Sequence, residues 1–144
     1  MKLNYELIRN LLLVAEDQEN NSSLSQKELD EFIEKFDYTF DELTYHLKRL
    51  EEADYIDVTI RYASNQVYIY ALNYITWDGH QFLDTIRSDK VWSTSKKVAN
   101  DLKVKSISAF TQIAFQVASN LTEELRYEAK LENAQKPDAL RRVI

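Results

Sequence analysis

Residues 56–62 read Ile56-Asp57-Val58-Thr59-Ile60-Arg61-Tyr62, with an apolar residue at every second position. A period of two puts the apolar side chains on one face of an extended chain and the polar ones on the other, which describes a strand with one wet face. Ala63-Ser64-Asn65-Gln66 follows as a turn, with Asn65 the residue best able to take a left-handed conformation. Val67 to Ile75 reads as a second strand, apolar on both faces, so the pattern predicts cover on each side.

Everything upstream of this hairpin has a helical period. Asn4 is a good helix cap, and Leu7, Ile8, Leu11, Leu12 and Ala15 follow at helical spacing, with an end expected near Gln18. Ser25-x-x-Glu28 is a capping box ahead of Leu29, Phe32, Ile33 and Phe36; Thr39-x-x-Glu42 is a second, ahead of Leu43, Leu47, Leu50 and Ala53. Three helices and then a hairpin is the order of a winged helix, the helix-turn-helix variant with a β-hairpin wing.

Downstream, Thr76 caps a helix carrying Phe82, Leu83 and Ile86, and Asp89 to about Leu102 predicts another with Val91, Trp92 and Val98. After a break at residues 103–106, Phe110, Ile113, Ala114, Val117, Leu121 and Leu125 form one stripe. Phe110, Ala114, Val117 and Leu121 step by four, three and four, as a coiled-coil seam does, so Phe110–Leu125 predicts a homodimer interface. Packing back onto Val67–Ile75 is the competing use of the stripe. The predicted fold class is α+β, mostly α. A winged helix-turn-helix spans residues 1–87, a helical extension 88–135, and a frayed tail 136–144.

The composition excludes several functions. No cysteine in 144 residues removes a disulfide scaffold, a thiolate zinc site and a cysteine nucleophile; a single glycine removes the Gly-rich phosphate loops. The two histidines are far apart in sequence; His80 with Asp84 and His46 with Glu42 stand at i, i+4, too little for a metal site. No nucleophile, metal or phosphate constellation is present, so the expectation is no enzyme, no catalytic residue and no cofactor. The longest apolar run, Leu11–Ala15, is far short of the roughly 20 residues that cross a bilayer. With no signal-peptide pattern, a cytoplasmic protein without a membrane partner is expected.

Net charge is −6, unevenly spread. Residues 1–60 hold 6 Lys/Arg against 15 Asp/Glu, whereas residues 87–105 hold 6 against 2. The acidic half repels nucleic acid, and the basic segment attracts it. With Leu43, Leu47 and Leu50 turned inward, Thr44 and Tyr45 become candidates for base edges, and Lys48 and Arg49 for phosphate or guanine. Arg61 on the wing and Lys90, Lys96 and Lys97 in the basic segment complete the candidate DNA-binding set; Arg87, Lys103 and Lys105 belong to the same basic run. The bland alternative is a solvated α-helical face, with the basic run pairing to the acidic half. Tyr62, Tyr68, Tyr70 and Tyr74 are expected to pack the hairpin against the C-terminal helices, and Trp77 and Trp92 to staple those helices down. Gly79, placed inside a helix, predicts a close approach by a neighbouring backbone.

Several stretches resemble a known family. These are Met1-Lys2-Leu3-Asn4 with Ile8-Arg9, Tyr45-His46-Leu47, and Ile75-Thr76-Trp77-Asp78-Gly79-His80-Gln81-Phe82-Leu83-Asp84 with Ile86-Arg87 and Val91-Trp92. They look like an uncharacterised family of small bacterial and prophage proteins, known as a domain of unknown function. The resemblance covers about residues 1–100 and implies a winged-helix-like fold and a mobile-element setting, with no site residues to carry over. Asp54 stands where that family has a glycine after the third helix, so this helix must end differently. Ile75-Thr76-Trp77-Asp78-Gly79 also resembles the Leu-Thr-x-x-Gly that closes the wing in transcription regulators of the multiple-antibiotic-resistance type. Two functions follow as expectations: a DNA-binding or accessory regulator of a mobile element, with double-stranded DNA as partner, or a protein-interaction module, such as a phage-type factor that binds a host protein or mimics DNA with its acidic half.

Overall fold

The computed structural model describes residues 1–19 and 21–134. Among these, the protein is α+β and mostly helical. The order is α1 (Tyr5–Glu16), α2 (Gln26–Phe36), α3 (Phe40–Glu52), β1 (Ile56–Ala63), β2 (Gln66–Ile75), α4 (Trp77–Ile86), α5 (Asp89–Asp101) and α6 (Ile107–Ala134). The expected tail, 136–144, lies outside the described residues.

The helix starts are where capping chemistry places them. Asn4 Oδ1 accepts the N–H of Leu7 at 3.2 Å, and both capping boxes, Ser25/Glu28 and Thr39/Glu42, are closed in both directions. The end of α3 answers the missing glycine. Asp54 itself takes the left-handed conformation, φ 64°, while the N–H groups of Asp54 and Tyr55 donate to Glu51 and Leu50 oxygens. This pair of bonds is the Schellman closure.

β1 and β2 pair antiparallel from Ile56↔Ile75 to Ala63↔Gln66, with irregularities after Asp57 and after Arg61. The turn uses two left-handed residues, Ser64 and Asn65, where the sequence reading expected one. Leu24, just ahead of α2, adds an isolated bridge to β2: its N–H donates to Leu72 O at 2.8 Å and its carbonyl accepts from Leu72 at 3.0 Å.

One hydrophobic core runs through every element. Leu7, Leu11 and Leu12 of α1 meet Leu43, Leu47 and Leu50 of α3, Leu72 of β2, Phe82 and Leu83 of α4, Trp92 of α5 and Phe110 of α6. Tyr5 stacks on Phe110 at 4.2 Å between ring centres, and its hydroxyl donates to Val104 O at 2.8 Å, tying the first helix to the start of the last.

Four sequence expectations need correction. β2 is covered on one face only: Tyr70, Leu72 and Ile75 are buried, whereas Tyr68, Ile69 and Tyr74 face solvent. The hairpin packs against the first three helices, Tyr70 meeting Phe40 edge-on at 5.3 Å, so its tyrosines do not serve the C-terminal helices as expected. Trp92 is a core residue, but Trp77 is 77% exposed, because the first turn of α4 lies at the surface. Finally, the Phe110–Leu125 stripe is divided. Phe110, Ala114 and Val117 are buried within the chain's own core, and Leu125 is 65% exposed on the part of α6 that extends past it.

Gly79 bears out its reading. A Cβ there would lie 2.0 Å from the carbonyl oxygen of Tyr55. That same carbonyl accepts the Thr76 N–H at 3.0 Å, so the start of α4 is seated on the β1 entry by backbone contact.

Candidate nucleic-acid interface

α3 is laid open between two shoulders. Its buried side carries Leu43, His46, Leu47 and Leu50, and its open side Asp41, Thr44, Tyr45, Lys48, Arg49 and Glu52. On one shoulder stands the hairpin. Lys48, Glu51 and Glu52 line a groove with Val58, Ile60 and Tyr62 of β1, and the Lys48 ammonium sits 5.1 Å from the centre of the Tyr62 ring. On the other stands the α5–α6 turn. Tyr45 and Arg49 line a groove there with Lys105, Ser106 and Ser108.

The candidate side chains are not equally available. The Thr44 hydroxyl donates back to Phe40 O at 3.0 Å, as a helical threonine commonly does. The Arg49 guanidinium lies 5.4 Å from the Tyr45 ring centre and pairs with Glu52 at 2.6 Å. Its Nε is buried with no hydrogen-bond partner among the described residues. The Glu52 pair itself is exposed on both sides, so breaking it costs little. Lys48 forms no ion pair among the described residues.

The other cations are dispersed. Arg61 alternates with Ile60 in the regular stretch of β1 and pairs across to Ile69, which puts it on the outer face of the hairpin, away from Lys48. On that outer face Asn73 donates to Asp57 and Thr59, each at 2.9 Å. Lys96 pairs with Glu6 and lies 5.3 Å from the ring centre of Trp92. Burial raises the Glu6 carboxyl, but the hydrogen bonds from Lys96 and Trp92 outweigh it and leave the group below its ordinary value. Lys90 lines a different groove, beside Asp84, Glu124 and Glu128. Lys97 is exposed on α5. Arg87 grips Glu16 through two 2.7 Å bonds and reaches Asp84 at 2.9 Å, and these partners raise its already high pKa. For Arg87 and Lys96 the basic run does pair with acidic residues of the helical body.

Lys103 and Lys105 do not. Both are exposed, without an ion pair among the described residues, and both line a groove that Lys2 and Tyr45 share. The basic run of residues 87–105 marked two of these lysines; Lys2 carries no local signal, because its place depends on how the segment before α1 crosses α3.

His46 is used structurally. His46 Nε2 accepts the Asn4 N–H at 2.8 Å, and its Nδ1 lies 2.7 Å from the backbone oxygen of Glu42. Asp84 is taken by Arg87. Among the described residues, no group of three or more His, Asp or Glu side chains is placed to hold a metal ion. No helix there is long and apolar enough to cross a membrane.

Comparison with known proteins adds kinship without chemistry. An uncharacterised protein of Haemophilus influenzae is 33% identical over 126 residues, 87% of this chain and 98% of that one. A 34-residue stretch, 24% of this chain, is 71% identical to 7% of the signal recognition particle receptor FtsY of Streptococcus mutans. No solved structure matches. Residues 2–106 match the family described as "Hypothetical protein (DUF2513)". With three-quarters of its length inside that match, the chain belongs to this family of uncharacterised proteins.

Proposed function

We propose that the chain is a winged-helix DNA-binding protein of regulatory type, α3 entering the major groove of double-stranded DNA. The observation that carries this reading is the placement of α3. It is open to solvent between the hairpin and the α5–α6 turn, with Lys48 and Arg49 on its open side. The element order supports the fold name, since the Leu24–Leu72 bridge between α1 and α2 supplies the short third strand expected of a winged helix. Tyr45, Lys48 and Arg49 contact the duplex; Thr44 contributes through its methyl group. Arg61 contacts DNA only where the hairpin's outer face meets a backbone. Lys97 is a peripheral phosphate contact, and Lys90 and Lys96 are left out by their surroundings. The resemblance noted above favours a mobile-element role. If two copies pair on DNA, they do so through Leu121 and Leu125, the part of the α6 stripe outside the core.

A gel-shift series over genomic fragments flanking the gene, at low salt, tests this. Saturable binding that Lys48→Ala with Arg49→Ala abolishes supports the reading; absence of binding to every fragment refutes it.

One observation favours a second reading, a module that binds a basic protein. Asp41, Glu51 and Asp54 are exposed around α3 with no ion pair among the described residues. In that case Glu51→Lys disrupts a protein complex and DNA shows no saturable binding.

A further inference from the structure

The hairpin is poorly equipped to follow a phosphate backbone. Arg61 is its only cation, and it lies on the outer face. A protein of net charge −6 needs a local excess of cations wherever it meets a polyanion. That excess exists on the opposite shoulder of α3. Lys2, Lys103 and Lys105 surround two adjoining grooves that share Leu3, Tyr45 and Lys105, and Arg49 closes the far one. Among the described residues, the only carboxylate lining either groove is Glu52, which Arg49 already holds. Beside them Ser106 precedes α6, and the first turn of α6 bears Ser108 and no acidic residue.

We propose that this ledge — Lys2, Lys103 and Lys105 beside Tyr45 — is the phosphate-binding surface that takes one strand of the duplex read by α3, in place of a cationic wing. The inference rests on the DNA-binding reading above and specifies where its electrostatic part resides. The ledge is built from fixed parts. Lys103 sits at the left-handed residue that ends α5, φ 56°, where the Val104 N–H donates to Ala99 O at 2.9 Å, and the Val104 carbonyl holds the Tyr5 hydroxyl. The two lysines therefore project from a turn anchored at both flanks. A phosphate backbone fits this surface because it offers anions at regular spacing along a groove. Each lysine that neutralises a phosphate releases counterions and steepens the salt dependence.

The test is fluorescence anisotropy with a labelled 20-base-pair duplex, titrated from low to moderate salt. The variant is Lys103→Gln with Lys105→Gln, which keeps a polar side chain and removes the charges, with circular dichroism to confirm an unchanged fold. Losing two phosphate contacts lowers the slope of log affinity against log salt by about 1.8. Lys103→Arg with Lys105→Arg restores the wild-type slope, and Lys90→Gln, in the distant groove, leaves it unchanged. Duplex binding by the wild type with an unaltered slope in the double Gln variant overturns the ledge and leaves the DNA-binding reading standing. No duplex binding by the wild type overturns both. Binding of polyglutamate, lost in the double Gln variant and unaccompanied by duplex binding, assigns the surface to an acidic protein and overturns the nucleic-acid assignment.

Discussion

The backbone N–H of Asn4 donates to Nε2 of His46 at 2.8 Å, so the residue that caps α1 is itself fastened to the middle of α3. An accepting Nε2 obliges Nδ1 to carry the proton, and Nδ1 donates it to Glu42 O at 2.7 Å. The ring is fully used in its neutral form. A second proton on Nε2 would point at the Asn4 N–H, and burial pushes the His46 pKa below its ordinary value. The sign for stability follows. The unfolded chain takes up the proton near pH 6.5 and the folded chain only lower, so stability falls as pH drops below about 6.5, by at most about 1.4 kcal/mol per pH unit from this group. His46→Phe fills the ring volume, leaves Asn4 N–H unpaired and removes the titration. We expect a loss of about 1–3 kcal/mol at pH 8 and a flatter stability profile between pH 6.5 and 5. Urea unfolding across that range reads both, and an unchanged profile would show that another group carries the dependence.

Gly79→Ala tests the seat of α4. The added Cβ would meet Tyr55 O at 2.0 Å and Ile75 Cγ2 at 2.7 Å. The first is backbone, and it also accepts from Thr76, so Tyr55 O cannot retreat without disturbing that bond. Alanine ordinarily stabilises a helix relative to glycine by about 1 kcal/mol. Here overpacking reverses the sign, and a destabilisation of about 3 kcal/mol is expected. A thermal midpoint equal to or above wild type would refute the close approach.

Asp54→Gly is expected to work the other way. Asp54 holds φ 64° with a Cβ that disfavours it, while its backbone groups serve the α3 closure and accept from Thr76. Glycine relieves the strain at some cost in unfolded-chain entropy, for a net gain of up to about 1 kcal/mol. Chemical denaturation with an unchanged slope and a higher midpoint would show it.

These sites mark what the residues disclosed and what they withheld. Helix starts were legible because the capping chemistry is local: Ser25 with Glu28 and Thr39 with Glu42 needed no partner elsewhere. The strand period was legible in Ile56–Tyr62 for the same reason. The second strand misled because apolar content in Val67–Ile75 records β-propensity as well as burial, and Tyr68, Ile69 and Tyr74 spend it in solvent. Trp77 misled likewise, since size alone does not bury a side chain in the first turn of a surface helix. Of the candidate site, Tyr45, Lys48 and Arg49 could be placed from the α3 face alone. The convergence of Lys2 with Lys103 and Lys105 could not, because it joins segments about a hundred positions apart through the packing of Tyr5 on Phe110.

Lys96 separates sequence charge from usable charge. It belongs to the same basic run as Lys97 and Lys103, yet it meets Glu6 and the Trp92 ring, and the Trp92 indole N–H donates to the same carboxylate at 3.1 Å. Its charge is therefore matched within the protein, and a phosphate would have to displace a carboxylate to reach it. On the DNA-binding reading proposed above, the expected outcome for Lys96→Ala is an unchanged salt dependence of duplex binding. Because a third of the lysine side chain and nearly half of the carboxylate are exposed, the lost pair costs no more than about 1 kcal/mol. Part of that loss is pH-dependent. Glu6 is held below its ordinary pKa, so its contribution is present above about pH 4.5 and disappears as pH falls through the folded value. The variant and the wild type therefore converge in stability at low pH. Lys97→Ala, with no carboxylate partner among the described residues to release, should show the reverse pattern: unaltered stability and a salt slope lower by at most about 0.9. A Lys96→Ala protein whose slope falls as far as that of Lys97→Ala would mean that the Glu6 pair opens on binding and that Lys96 belongs to the interface after all.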